Sequence, residues 1–328
     1  MTERSITRRT AAGALWLGIA LAGAVCAQTY PARAVRVVVP YPPGGGTDIL
    51  ARPMMARLTD RMGQSFLIDN RGGATGMIGT DIVAKSPPDG YTMLFSASPE
   101  LVINLSLFRK IAYDPVRDLK MVSVSAITPV IIVAIPSLPA KNMKELVDIA
   151  SSRKVSVTYG TSGTGSPHHL VGELLRLRTK ADFIHVPYKG GGPQVTDTLG
   201  GHVVASMFTL PVVTQHVRAG KLRGIAVSVP KRSPAVPDVP TLGESGFPGF
   251  DVSQWFAASV PAGTPDAIVR RLHAELVDAL RVPDIRARQL EQGYEQVGNS
   301  PEESAQYVKD EIAKYAKLIK DTGIRIEQ

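Results

Sequence analysis

Four stretches of this 328-residue chain concentrate small residues where a strand would hand over to a helix. They are Pro40-Tyr41-Pro42-Pro43-Gly44-Gly45-Gly46-Thr47-Asp48, Asn70-Arg71-Gly72-Gly73-Ala74-Thr75-Gly76, Tyr159-Gly160-Thr161-Ser162-Gly163-Thr164-Gly165-Ser166 and Val186-Pro187-Tyr188-Lys189-Gly190-Gly191-Gly192-Pro193. Glycine lets the backbone approach a ligand closely and turn its N–H groups inward. A helix N-terminus behind such a turn adds unpaired donors and a partial positive charge. The chemistry this supports is anion binding by amides and hydroxyls. The stretches at Pro40–Asp48 and Tyr159–Ser166 contain no Lys or Arg, so an anion there would be held without a salt bridge. One such turn alone is most simply a tight βα connection. Several in one chain, split between two lobes, read as a clamp on a small ligand rich in oxygen.

Catalytic signatures mostly fail. Ser162 lacks the second glycine of a nucleophile elbow, since position 164 is Thr. The turn at Gly46 is not followed by Lys-Ser/Thr, so it is not a P-loop. His168 and His169 stand side by side with Glu173 beyond them, but there is no HExxH and no second cluster. No metal and no cofactor are expected, and these histidines read as satisfied or solvent-facing, with His169 near the ligand through its place in the turn. His185, His202, His216 and His273 are isolated. Asp48 reads as an N-cap that also shapes the glycine turn. Lys189 faces either solvent or ligand, and Trp255 is either core or cleft wall.

These turns need strands before them and helices behind. Strands are expected at Val35–Pro40, Phe66–Asp69, Thr92–Phe95, Val130–Ile135, Val155–Tyr159, Phe183–Val186, Val203–Phe208, Gly224–Val229 and Trp255–Val260. Many are apolar throughout, as strands covered on both faces should be. Helix starts are marked at Asn142 with Glu145, Ser166-Pro167, Thr264-Pro265 and Ser300-Pro301 with Glu303. Pro53 should kink the helix after Gly46 or delay its start. Alternating strands and helices imply an α/β fold with mixed or parallel sheets. Crossings between two lobes are expected near Lys120–Ile127 and Val227–Pro240. The expected division is 28–123 plus 230–299 for lobe 1, 124–229 for lobe 2, and 300–328 as a C-terminal helix packing across both. In open α/β sheets ligands sit beyond the carboxyl ends of strands, where the glycine turns fall.

Composition sets the compartment and excludes some partners. Residues 1–27 read as a secretory signal, with Arg4, Arg8 and Arg9 before an apolar run from Ala11 to Val25 and cleavage after Ala27. A run of about 15 is short for a spanning helix, which needs about 20. Thr7-Arg8-Arg9 leaves twin-arginine export open beside the general route. The only cysteine, Cys26, falls in the signal, so the mature chain has no thiol chemistry. The net charge of +8 includes Arg4, Arg8, Arg9 and Glu3 and drops to +6 without them. The remaining excess is scattered, so nucleic-acid binding is not expected.

Taken in order, these segments resemble the Bug-type receptors, the substrate-binding proteins of tripartite tricarboxylate transporters. The resemblance spans the mature chain and rests on Tyr41–Asp48, Asp69–Gly76, Ser86-Pro87-Pro88-Asp89-Gly90-Tyr91-Thr92, Tyr159–Ser166, His185–Gly190 and Pro240-Thr241-Leu242. It implies a periplasmic binding protein of the type II kind, two lobes of helix-flanked sheet with the ligand cleft between them. The implied ligand is a small organic acid, held by amides, hydroxyls and water, and the implied partners are membrane permease subunits. A periplasmic monomer without catalysis is expected. By position, Tyr41 and Pro43, Gly44, Gly45, Gly46, Thr47 and Asp48 would grip one carboxylate, helped by Ser96 and Ser98. Thr161, Ser162, Ser166 and His169 would act from the second lobe, with Tyr188, Gly190 and Thr209 near the cleft. Two departures stand out. Gly72 sits where relatives commonly have proline, and Met207-Phe208-Thr209-Leu210 lacks the acidic residue many carry there. The second implies a ligand without an ammonium group. Alternatives are an exported serine hydrolase using Ser162 or Ser166 with His168 or His169, and a receptor used only for signalling.

Overall fold

Runs of Val, Ile and Phe too apolar to face water on either side set the sheet. The structure, a computed structural model, describes residues 30–152 and 157–323. The expected signal lies outside them, as do the first two residues of the strand expected at Val155–Tyr159. Ten strands form: β1 (Val35–Val39), β2 (Phe66–Asn70), β3 (Thr92–Ala97), β4 (Leu119–Ala134), β5 (Val157–Thr161), β6 (Phe183–Pro187), β7 (Ala205–Thr209), β8 (Arg223–Val227), β9 (Ser253–Pro261) and β10 (Glu295–Gln296). The helices are α1 (Gly46–Met62), α2 (Met77–Ala84), α3 (Asn104–Leu107), α4 (Pro115–Asp118), α5 (Met143–Ser152), α6 (Pro167–Thr179), α7 (Gly191–Leu199), α8 (Leu210–Arg218), α9 (Asp266–Arg281), α10 (Pro283–Gln292) and α11 (Pro301–Thr322).

The strand order is β2-β1-β3-β9-β4-β7-β5-β6, with β8 and β10 also pairing with β4. Strands β2, β1 and β3 run parallel, as do β6, β5 and β7, while β9 is antiparallel to both β3 and β4. The long strand β4 belongs to both halves. Leu119 to Pro129 pairs with β9, and Val130 to Ala134 pairs with β7. Each half thus has its own sheet with helices on its faces, and the two halves are the two lobes. The first part of β4 was hidden in the sequence because Ser123, Ser125 and Thr128 break its apolar run. All three are fully buried. Ser123 donates to Asn299 O at 3.0 Å and Thr128 to Gly293 O at 2.9 Å, so these two hydroxyls are satisfied rather than solvated, while Ser125 Oγ is buried without a partner. After β8 the chain runs through Pro230, Pro234, Pro237 and Pro240 along the second lobe. There Ala235, Val236 and Val239 pack with Ile131, Phe208 and Leu222. The chain re-enters the first sheet at Ser253.

Local signals mostly hold. Ser300 and Glu303 form the full capping box, Ser166 accepts from His169 N, and Asn142 accepts from Glu145 N. Thr264 does not cap α9: its hydroxyl donates to Pro261 O at 2.7 Å. Pro53 lies inside α1, which begins at Gly46 without delay. Trp255 is core, fully buried, with Nε1 donating to Glu311 at 2.9 Å. Glycine turns after β1 and β5 and before α7 all open toward the line where the lobes meet.

Candidate ligand-binding site

The turn after β1 is held by a carboxylate. Gly44 adopts φ 80°, and the N-cap position of α1 is Gly45, with no side chain capping the helix. Asp48 therefore is not the N-cap the sequence implied. It reaches back from the first turn to accept from Gly44 N at 3.0 Å. Arg52 grips it with two bonds of 2.7 and 2.8 Å, and Asn70 donates to it at 3.1 Å. Burial pushes the Asp48 carboxyl up, but the bonds from Arg52, Gly44 and Asn70 outweigh it and hold it below the usual carboxylate range. Asp48 is committed to the loop, and the leading N–H groups of α1 are left without a side-chain cap. Tyr294 donates to Gly46 O at 2.7 Å and fixes the turn from behind.

The second lobe presents a matching end. The N-cap of α7 is Gly190, at φ 129° and again with no capping side chain. The two glycine turns nearly touch. A β-carbon at Gly190 would lie 2.9 Å from Pro42 Cδ, one at Gly192 would lie 2.6 Å from Pro43 O, and one at Gly45 would lie 3.8 Å from Gly191 N. Two uncapped helix ends from opposite lobes thus face each other. By contrast α6 is capped by Ser166, which also donates to Gly163 O at 2.7 Å. One side-chain bond crosses the lobes here, from Thr75 Oγ1 to Thr164 O at 2.6 Å.

Between these ends lies a cavity of about 20 Å³, room for about one water. Of the residues expected at the site, Tyr41, Gly45, Gly46, Thr47, Ser162 and Thr209 line it. His168, Gly191, Gln194, Phe208 and Gln254 line it too, and the sequence had not singled them out for binding. Larger grooves of about 610 and 370 Å³ lie between α8, β8 and the proline segment, and between β4 and α11. Neither is reached by a glycine turn.

The other expected residues stand behind or beside this wall. Pro43 and Gly44 form the rim against Gly192. Ser96 donates weakly to Ala257 O at 3.4 Å, and Ser98 is fully buried beside Glu100. Thr161 Oγ1 lies 2.7 Å from His185 Nε2. Tyr188 is held through its N–H to Thr161 O at 2.9 Å, and Lys189 is exposed. His169 turns away: its Nδ1 accepts from Gly165 N at 3.2 Å and its ring stacks on His185 at 4.1 Å. Its neighbour takes the place expected of it. One residue along a helix start rotates a side chain by about 100°, so adjacent histidines cannot share a role.

The wall is polar but uncharged. Ser162 Oγ lies 2.7 Å from His168 Nδ1. Burial pushes His168 down to about 3, so it is neutral at any ordinary pH. Glu100 lies behind Tyr41, accepting from its hydroxyl at 2.7 Å and from Ala97 N at 2.8 Å. Burial pushes its carboxyl up to about 7 against those hydrogen bonds. A carboxylate in the cavity would meet amides, hydroxyls and imidazole, and no cationic side chain. Among the described residues there is no group of His, Cys, Asp and Glu that could hold a metal, and no helix long and apolar enough to cross a membrane.

Residues 50–324 match the model of the tripartite tricarboxylate transporter family receptor, TctC. The chain belongs to this family. The receptor is 38% identical over 325 residues to Protein BugT of Bordetella pertussis, covering 98% of this chain and all of that one. A solved Rhodopseudomonas palustris structure with adipate is 37% identical, with TM-score 0.87 over 90% of this chain and 99% of the other. MatC from the same organism, with bound malate, is 32% identical, with TM-score 0.82 over 88% of this chain and all of the other. The fold is that of the periplasmic binding proteins, and the family and fold are those of substrate-binding proteins.

Proposed function

We propose that this receptor works outside the cytoplasm, closing its two lobes on a small carboxylate and presenting it to membrane permease subunits of a tripartite transporter. The observation that carries the reading is the pair of uncapped helix ends, α1 and α7, facing each other from opposite lobes across an uncharged polar cavity. Helix N-termini favour anions through free N–H groups and the helix dipole. The adipate and malate in the two R. palustris structures are ligands of the same chemical kind. The proposed contacts are Gly45, Gly46 and Thr47 from the first lobe and Ser162, His168, Gly191 and Thr209 from the second, with Tyr41 as a wall. The 20 Å³ cavity is far smaller than any such acid, so binding begins with the lobes apart and ends with them closed about β4 and β9. No catalysis is part of this reading.

The hydrolase alternative has one observation in its favour, the 2.7 Å Ser162–His168 pair. It lacks the third member. His168 Nε2 is buried and no acid orients it, and a base needs both reach and an orienting partner. An active-site serine probe that labelled Ser162 would revive it. The receptor reading is tested by thermal shift with mono-, di- and tricarboxylates after unfolding and refolding to strip carried-over ligand. A ligand bound only by the folded state raises Tm. No shift with any of them would overturn the reading.

A further inference from the structure

Of the eleven buried side-chain polar atoms that lack a hydrogen-bond partner among the described residues, three belong to side chains lining the same small cavity: His168 Nε2, Gln194 Oε1 and Gln254 Oε1. Their residues are only 2%, 0% and 5% exposed. Orphaned polar atoms are rare in folded proteins and costly. Their convergence on one cavity marks it as made for a polar guest, and the type of each atom says which groups that guest must carry.

Gln194 is the informative one. Its Nε2 donates to Met207 O at 2.9 Å. A carbonyl only accepts, so the amide cannot be turned over, and Oε1 is fixed as the buried end left without a partner. A carboxylate has acceptors alone at neutral pH and cannot satisfy it. Gln254 is free to offer either end of its amide. His168 can offer Nε2–H to an anion when the Ser162 hydroxyl donates to Nδ1. A guest that pairs directly with Gln194 Oε1 must therefore bring at least one donor as well as its negative charge.

An ammonium would be a poor donor here. No Asp or Glu lines the cavity, and the two nearby carboxylates are committed. Asp48 serves Arg52, Gly44 N and Asn70, and Glu100 serves Tyr41 and Ala97 N. Burying a full positive charge against neutral amides is costly. A hydroxyl carries a donor without that charge.

We propose that the cleft selects a hydroxycarboxylate, with the carboxylate on the N–H groups of α1 and α7 and the hydroxyl donating to Gln194 Oε1. This rests on the receptor reading above and narrows its substrate class. A site built to pair a hydroxyl discriminates against the analogue that lacks it, because its own polar group is then left unpaired.

The test is calorimetry of the refolded protein with matched trios: succinate, malate and aspartate; glutarate, 2-hydroxyglutarate and glutamate; propionate, lactate and alanine. In the series whose length fits, the hydroxy acid is expected to bind at least about tenfold tighter than both counterparts. Gln194→Met should bring the ratio of hydroxy to unsubstituted acid close to one, a readout that a general loss of packing would not move. Equal or tighter binding of the unsubstituted or amino acid by the wild-type protein overturns the proposal while leaving the receptor reading standing. A preference that survives in Gln194→Met overturns the role of Gln194. Absence of binding in all three series and in the wider carboxylate screen overturns both readings.

Discussion

Gly192→Ala isolates lobe closure from folding. Gly192 is the second residue of α7, needs no unusual backbone angle and stands before Pro193, where a β-carbon makes helical angles less favourable. The added carbon would stand 2.6 Å from Pro43 O, a backbone atom of the other lobe. Carbon and oxygen meet comfortably at roughly 3.3 Å, and neither backbone can swing aside alone. Overpacking of this kind costs about 1–3 kcal/mol. That penalty falls only on the closed arrangement. With the lobes apart the helix-propensity gain of up to about 1 kcal/mol is offset by the crowding of a β-carbon against the ring of Pro193. The expected result is a Kd raised about 5- to 150-fold, with a ligand-free Tm close to that of the wild-type protein. Calorimetry with the tightest acid from the screen and a parallel melt would measure both. An affinity within twofold of wild type would refute the claim that these turns approach as the ligand binds. A ligand-free Tm lowered by several degrees would show that Gly192 serves folding instead.

Thr75→Val removes the one hydroxyl that bonds across the lobes at the glycine turns, to Thr164 O at 2.6 Å. It should weaken ligand binding about fivefold, as one hydrogen bond of about 1 kcal/mol implies, with little change in the ligand-free melt. Asp48→Ala should lower stability at pH 7 by about 2 kcal/mol, seen in urea unfolding. Because the folded Asp48 carboxyl is held down, its stabilisation is present above the usual carboxylate range and disappears as pH falls through the folded value, where variant and wild type should converge. Glu100 behaves oppositely. Pushed up to about 7 by burial, it favours folding in its protonated form, fully below 4.5 and less as pH rises through 7. Glu100→Gln should flatten the fall of Tm across that window, and an unchanged slope would show that another group sets it.

The backbone part of the proposed site was legible in the sequence, and most of its side-chain part was not. Gly45, Gly46 and Thr47 stood out because several glycine turns before helices recur in the one chain, and they do line the cavity. Gln194 and Gln254 carried no such signal. A glutamine inside a helix or at a strand start is ordinary, and only the third dimension brings α7 and β9 to one point. The sequence favoured His169, whereas the cavity wall carries His168, since adjacency in sequence cannot say which ring a helix start turns inward. Strand positions were readable where apolar residues ran unbroken. They were lost over Leu119–Pro129, where buried serines look like loop and one of them, Ser123, finds its partner as far away as Asn299. Trp255 was left between core and cleft, and its bond to Glu311 on α11 decides for core.

Strand β4 has a consequence for how the chain reaches this shape. Its pairing with β9 joins Leu119–Pro129 to Ser253–Pro261, so the middle of the sheet cannot zip until the whole second lobe has been threaded between them. Such distant pairings slow folding, because loop entropy is lost before contacts reward it. A second lobe excised at Val130 would carry only the tail of β4, and a first lobe made alone would lack a continuous chain between its central strands. Either fragment would expose an unpaired strand edge, a template for aggregation. The two lobes thus make one unit for folding.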